Sequence, residues 1–518
     1  MKTIALNSAA GRWLMVSTIL ATAMAFIDAT GLNVVLPSLQ KSLHANGPEL
    51  FWVLNGYLLM VGAFILIGGA LGDKLGRKKI FMVGIFIFII GSACCGFADN
   101  ITLLVCFRIL QGMGGALMIP GSLSLISSSI EPKQRGKAIG TWSAFSTVCT
   151  MGGPILGGAL ADAGLWRHFF FINIPLGIIS LIMLFFKVGE NRETGDTTID
   201  YRGAVTLVLA LALFTFGLLR IPSKGLHNTG VYTTLTAGLF FLVLYLIVER
   251  KSQHPMMPLG LFSNRVFSGA NLLTFFLYAG LGASMLFLSL NFIQVQGYSQ
   301  FEAGLTFLPF TILMVLISGY AGSLADKYGS RYFLIAGPII TGIGQLLLAI
   351  VTQTNGARDY FSTFLPGIAV LGFGMSITVA PLTTTVMTAL SDRFAGIASG
   401  INNAMTRISG LIANAVFGAL AILFFSTALV HQLNRSTLDD NKKAIVLAQA
   451  SNLGNATTPP ALAKEEQFIK KSYHESFISA YATIMRICAG LSFLAAIMAI
   501  LFIKNKTIKK SKDHFLPK

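Results

Sequence analysis

Asp28 is the one acidic residue set deep in an apolar run, AFIDATGLNVVLP, whereas the rest of the chain's 21 acids fall in loops, tails or the ends of such runs. An ionised carboxylate in hydrocarbon costs several kcal/mol unless it is hydrated or paired. Its chemistry is therefore proton or substrate coupling, or a structural ion pair. Two cations lie comparably deep. Arg108 sits in FRILQGMGGA, where Arg108, Gly112 and Gly115 follow at i, i+4 and i+7 and leave room on that face for a neighbouring backbone. Counted by helix rise, Asp28 lies about 22 Å from one membrane surface and Arg108 about 10 Å from the other, so the two reach similar depth. Arg407 lies near mid-membrane on a face with Asn403 and Asn414. It meets backbone carbonyls, the plainer reading, or an anionic part of a substrate. With Asn33, these three are the candidate polar lining of a cavity. A last cluster is GTWSAFSTVCTMGGPILGG, in which Cys149, Gly153 and Gly157 repeat every fourth residue and Pro154 removes a backbone donor, as in a tightly packed, kinked helix.

Positioning these groups requires membrane-spanning helices. With 54% hydrophobic residues and a mean hydropathy of +0.71, the chain reads as an all-α integral membrane protein. Apolar runs of about 17 to 25 residues recur along it, each long enough to cross roughly 30 Å of hydrocarbon. Fourteen are expected, centred near residues 23, 60, 88, 114, 148, 179, 210, 240, 280, 314, 345, 371, 413 and 491, the seventh and eighth being the shortest. The first is a span rather than a signal peptide, because it outruns the usual length and lacks a small-residue cleavage site. Lysines and arginines alternate between loops: Lys74 to Lys79, Lys133 to Lys137, Arg192 and Arg202, Arg250 and Lys251, Lys327 and Arg331, then Lys504 to Lys512. By the positive-inside rule these loops and both termini are cytoplasmic, in a multi-pass bacterial plasma-membrane protein. Residues 426–479 then face outward, as a solvated cap over the outer mouth or, as the second reading, a partner-binding element.

Several function classes fall away. The net charge of +17 and pI near 9.7 sit in the inner loops and tail rather than on one folded face, which argues against nucleic acid. The five cysteines lie in apolar runs without metal spacing, the seven histidines at span ends or in loops, and there is no phosphate-binding GxxxxGK[ST]. No enzyme activity, cofactor or metal is expected.

The stretch GGALGDKLGRKK at Gly68 to Lys79 has a weaker copy, GSLADKYGSR, at Gly322 to Arg331. GALGDKLGRKK resembles the loop signature of the major facilitator superfamily, FRILQGMGGA its fourth-span motif, and Gly140 to Gly157 its antiporter motif, with Cys149 in place of a second glycine. FIDATGLNVVLP, WRHFFFINIPLG and QVQGYSQFEAGL resemble the additional signatures of the fourteen-helix drug:proton antiporter group. The resemblance implies two six-helix bundles with two inserted helices: residues 1–187, an insertion with linkers at 188–267, then 268–425, the outer loop 426–479, and 480–518 with the last helix and basic tail. It also implies alternating access, protons and small-molecule substrates as partners within the bilayer, and, in a two-membrane cell, a periplasmic adaptor. Asp28 becomes the protonatable carboxylate and Arg108 its partner, Gly140, Cys149, Gly153, Pro154 and Gly157 the antiporter bend, and Gly69, Asp73, Gly76 and Arg77 with Asp326, Gly329 and Arg331 a cytoplasmic gate. In that gate Asp73 sits against a helix N-terminus and Arg77 pairs with an acid. The expected function is proton-driven export of hydrophobic or amphipathic compounds, monocationic or neutral because only one intramembrane acid is available. Export of a dedicated metabolite, or a non-transporting sensor or channel, are the alternatives.

Overall fold

The computed structural model describes residues 4–190, 200–225, 227–390, 394–436 and 438–503, leaving out the side-chain environments at 73, 144, 147, 223, 326, 395 and 396. The side chains of Asp73 and Asp326, Arg192 and the Lys504 to Lys512 tail therefore lie outside the described residues. Among the described residues, fourteen helical spans are long and apolar enough to cross a membrane, the sixth reaching that length as His168–Lys187, with the short turn before Asn173 included. They are α1 (Ala9–Leu43), α2 (Gly47–Leu75), α3 (Arg77–Phe97), α4 (Ile101–Ser129), α5 (Pro132–Asp162), α6 (Asn173–Lys187), α7 (Tyr201–Lys224), α8 (Thr229–Lys251), α9 (Arg265–Gln294), α10 (Leu308–Tyr328), α11 (Ser330–Ala349), α12 (Tyr360–Thr388), α13 (Ala395–Leu433) and α14 (Glu466–Phe502). The two helices expected to be shortest, α7 and α8, run 24 and 23 residues, longer than α3 at 21 and α11 at 20. Apolar run length undercounts them because both end in polar turns that remain helical.

Polar caps set the helix starts. Ser8 accepts the Gly11 N–H at α1, Asn46 and Glu49 form a reciprocal capping box at α2, and Asn100 accepts the Leu103 N–H at α4. Interiors carry few breakers beyond Pro37, Pro120, Pro154, Pro222, Pro338, Pro366 and Pro381, which neighbouring helices accommodate.

Helices α1–α6 pack as one bundle and α9–α14 as another, with α7 and α8 paired and α7 lying on α2 and α13 where the bundles meet. Leu59 and Ala63 of α2, Leu207 and Leu211 of α7, Tyr245 of α8 and Leu411 of α13 share one buried cluster there. The outward side of α8, with Leu239, Phe240, Val243 and Ile247, is exposed apolar surface suited to lipid.

The face where α1 starts and α14 ends carries the basic loops and is called the basic face. The opposite one is the cap face, because the segment after α13 folds across it. That segment is shorter than the sequence suggests: α13 continues to Leu433 and α14 starts at Glu466, beyond Pro459 and Pro460. Within it Asn455 Nδ2 donates to Gln40 Oε1 of α1 at 2.7 Å, Tyr473 of α14 donates to the Val446 carbonyl at 3.1 Å, and Gly454 lies against Gln294 of α9. The strap thus touches both bundles.

Candidate functional site

Asp28 and Arg108 do meet. The Arg108 Nη1 donates to Asp28 Oδ2 at 2.5 Å, with the carboxylate fully buried and the arginine 1% exposed. A third residue closes the ring: Gln111 Oε1 accepts from the same Nη1 at 2.7 Å, while its Nε2 donates to Asp28 Oδ1 at 3.0 Å. Arg108 Nε donates to the Val53 carbonyl of α2 at 3.1 Å, and its guanidinium lies 4.6 Å above the Tyr57 ring. Both carboxylate oxygens and both ends of the glutamine are engaged, the condition under which a buried ion pair is tolerated. The glycine face of α4 holds α2 in place for this, since a Cβ at Gly112 would lie 2.6 Å from the Tyr57 carbonyl oxygen. Gln111 was not flagged from sequence, because a neutral amide one turn beyond an arginine carries no cost that marks it out.

The α5 glycines pack on the same stretch of α1. A Cβ at Gly153 would overlap Thr30 Oγ1, and Gly157 faces the Gly31 carbonyl. Pro154 has no N–H to give to the Thr150 carbonyl four residues back. Thr30 Oγ1, two residues from Asp28, fills that vacancy at 3.0 Å while also reaching the Phe26 carbonyl at 2.8 Å. The proline that weakens α5 is therefore compensated from the helix that bears the carboxylate. Cys149 is half-buried with a free thiol, and open space surrounds Gly140.

Further toward the cap face, α5 ends at Asp162, whose two oxygens accept the backbone N–H groups of Gln300 and Phe301, each at 2.8 Å. Those residues begin the short helix Gln300–Leu305, capped by Ser299 with Glu302. Ser38 of α1 donates to Gln300 Oε1 at 2.7 Å, and Gly304 packs against the Pro154 carbonyl. The QVQGYSQFEAGL stretch is thus the second bundle's side of a latch that ties it to α1 and α5. In the loop before it, burial pushes the Tyr298 phenol up to about 12, so it stays neutral near pH 7.

A family description, Major Facilitator Superfamily, matches residues 18–414 of the chain. The chain belongs to the major facilitator superfamily. It is a transport protein, not an enzyme. It is similar to "Multidrug resistance protein Stp" of Mycobacterium tuberculosis (strain CDC 1551 / Oshkosh), 31% identical over 83% of this chain and 80% of the relative. It also resembles "Tetracenomycin C resistance and export protein" of Streptomyces glaucescens, 26% identical over 96% of this chain and 93% of that one. Among solved structures, a bacterial homologue of the human lysosomal transporter Spinster matches with a TM-score of 0.61 at 17% identity, covering 95% of this chain and 98% of the other. A POT family peptide transporter matches with a TM-score of 0.63 at 15% identity, covering 98% and 99%.

The superfamily's loop signature and its copy occupy equivalent turns in the two bundles. Gly76 joins α2 to α3 at φ +110° and Gly329 joins α10 to α11 at φ +92°, angles that strain any residue with a Cβ. The acid at the α3 N-terminus is Glu190, whose oxygens accept the Lys78 and Lys79 N–H groups at 3.1 Å each. The sequence pointed to Asp73 for such a contact, and its side chain lies outside the described residues; Glu190 was overlooked because acids at span ends are common. Lys78 Nζ donates to the Val188 carbonyl at 2.6 Å at the end of α6, and Arg331 donates to the Ile500 carbonyl at 3.3 Å at the end of α14. Arg331 is thus the counterpart of Lys78 rather than of Arg77. Gly69 has open space beside it. Of the polar candidates elsewhere, Asn33 is half-buried, Asn403 is exposed and bonded to its own helix at Ser399, and Asn414 is buried. They are not drawn into the Asp28 cluster.

Proposed function

We propose that the chain is a proton-coupled antiporter exporting hydrophobic or amphipathic small molecules by alternating access, lying in a bacterial plasma membrane with its basic face and both termini cytoplasmic. The observation that carries this reading is the fully buried Asp28, held by Arg108 and Gln111 between α1 and α4. The resistance and export functions named for its relatives support the substrate class. A proton on Asp28 removes its charge and leaves the Arg108 cation without a counter-ion, a state that the surrounding low-dielectric packing disfavours. Conformations that hydrate the cluster are then favoured, and protonation is converted into a population shift.

The latches at Asp162 and Asn455 fasten the cap face. In this reading substrate enters from the cytoplasm, and the gate residues Asp73, Arg77, Asp326 and Arg331 act when the basic face closes. Inverted vesicles with a pH-sensitive dye test the coupling. Adding a transported drug to wild type releases a proton flux, and Asp28→Asn, present at wild-type level in the membrane, releases none. Undiminished flux in that variant removes the mechanism.

A further inference from the structure

Arg407 is a charged side chain near mid-membrane that the proposed cycle leaves unused. It lies in α13 about 18 Å from the start of the helix. It is half-buried, and among the described residues it makes no ion pair and donates no hydrogen bond, so the expected backbone-carbonyl partner is not found. A Cβ at Gly62 of α2 would lie 3.8 Å from the Arg407 carbonyl carbon, and on the same stripe of α13 Gly400 lies against Leu66 of α2 while Gly410 lies beside Leu58 of α2 and Gly282 of α9. Arg407 therefore lies on the stripe of α13 that faces helices of the two bundles rather than lipid. Arg486, the other arginine well inside a span of the second bundle, shares a stripe of α14 with exposed Leu494, Ile497 and Leu501 and faces outward.

The local charge is one-sided. Asp28 is neutralised by Arg108 and fully buried, so it offers nothing to a ligand. Arg407 leaves one uncompensated positive charge, which disfavours a cation there and favours an anion. Unpaired polar atoms lie nearby on α2. Both side-chain polar atoms of Asn55 are buried without a partner among the described residues. Asn55 lies on the α2 stripe that meets α13, between Phe51, packed on Gly418, and Gly62, packed on Ile408. Buried polar atoms of this kind are normally satisfied by water or by a ligand.

We propose that Arg407 is the substrate-recognition cation between the bundles, and that this exporter selects amphipathic molecules carrying one anionic group, with Asn55 available to their polar atoms. This rests on the export reading and replaces the expectation that the amphipathic substrates are monocationic or neutral.

The test is equilibrium binding of three probes sharing one dansyl body to the purified full-length protein in lipid nanodiscs: dansylglycine, dansylamide and dansylcadaverine. Wild type binds the anionic dansylglycine about tenfold tighter than the cationic dansylcadaverine. Arg407→Gln abolishes that preference while leaving neutral dansylamide affinity unchanged, and Arg407→Lys keeps most of it. Equal binding of the three, preference for the cation, absence of saturable dansylglycine binding, or an unchanged preference in Arg407→Gln would overturn the proposal. The wild-type comparison decides even where a variant fails to fold. Failure of the export reading is separate: it shows as no gradient-driven movement of any probe in vesicles, whatever the binding preference.

Discussion

At the scale of single residues, the cluster around Asp28 depends on complete pairing. Removing one member of a buried ion pair costs about 3–5 kcal/mol because the other charge is stranded. Arg108→Ala is therefore expected to lower thermal stability in detergent strongly, and more than Gln111→Ala, which removes the hydrogen bonds to Arg108, Asp28 and Cys95 but no charge; a smaller melting shift for Arg108→Ala would contradict this. Thr30→Val deletes the hydroxyl that answers the Thr150 carbonyl freed by Pro154. The expected loss is about 1–3 kcal/mol, the desolvation cost of a buried acceptor. It should vanish in a Pro154→Ala background, where residue 154 supplies its own N–H, so a double-mutant cycle on melting temperature checks it. Asp28 and Arg108 were legible in the sequence because a charge inside an apolar run is costly and so conspicuous. Gln111, Thr30 and Asp162 were not: neutral side chains inside spans and acids at span ends carry no such cost, and their partners are remote in sequence.

Between elements, the two faces are fastened differently. The basic face uses turns, with Gly76 and Gly329 at positive φ and with Lys78 and Arg331 on the carbonyls that end α6 and α14. Glu190→Ala should expose the α3 N-terminus and cost about 1 kcal/mol, with lost transport stability on heating as the readout. Equal heat resistance of variant and wild type would show that the cap is redundant. The cap face uses the Asp162 carboxylate on the Gln300 and Phe301 N–H groups. Asp162→Ala should shift the population toward an open cap face, seen as longer distances by electron–electron resonance between spin labels at Leu165 and Ala357. An unchanged distance distribution would show that the strap and the Ser38 contact close that face unaided. Span number was readable from apolar run length. The true extents of α7, α8 and α14 were not, because helix continues through polar residues that hydropathy does not score.

For the whole molecule, two bundles meet along α2 and α13 with α7 laid on the seam, while the one carboxylate deep in the membrane is shut away from water within a single bundle. Such a group can exchange its proton only if the bundles rearrange, which ties proton movement to the same motion that moves substrate. Charge bookkeeping then separates substrate classes. At one proton per turnover, exporting a monoanion carries about two positive charges inward, whereas exporting a monocation carries none, and each elementary charge is worth about 2.3 kcal/mol per 100 mV. Transport of dansylglycine should therefore respond to an imposed membrane potential even without a pH gradient. The central claim is that Asp28 carries the coupling proton, and proteoliposomes measure it most directly. Uphill accumulation of a transported drug driven by a proton gradient is compared with exchange of labelled for unlabelled drug at equilibrium, in wild type and Asp28→Asn. The account predicts that the variant retains exchange and loses accumulation; accumulation at the wild-type level by Asp28→Asn would contradict it.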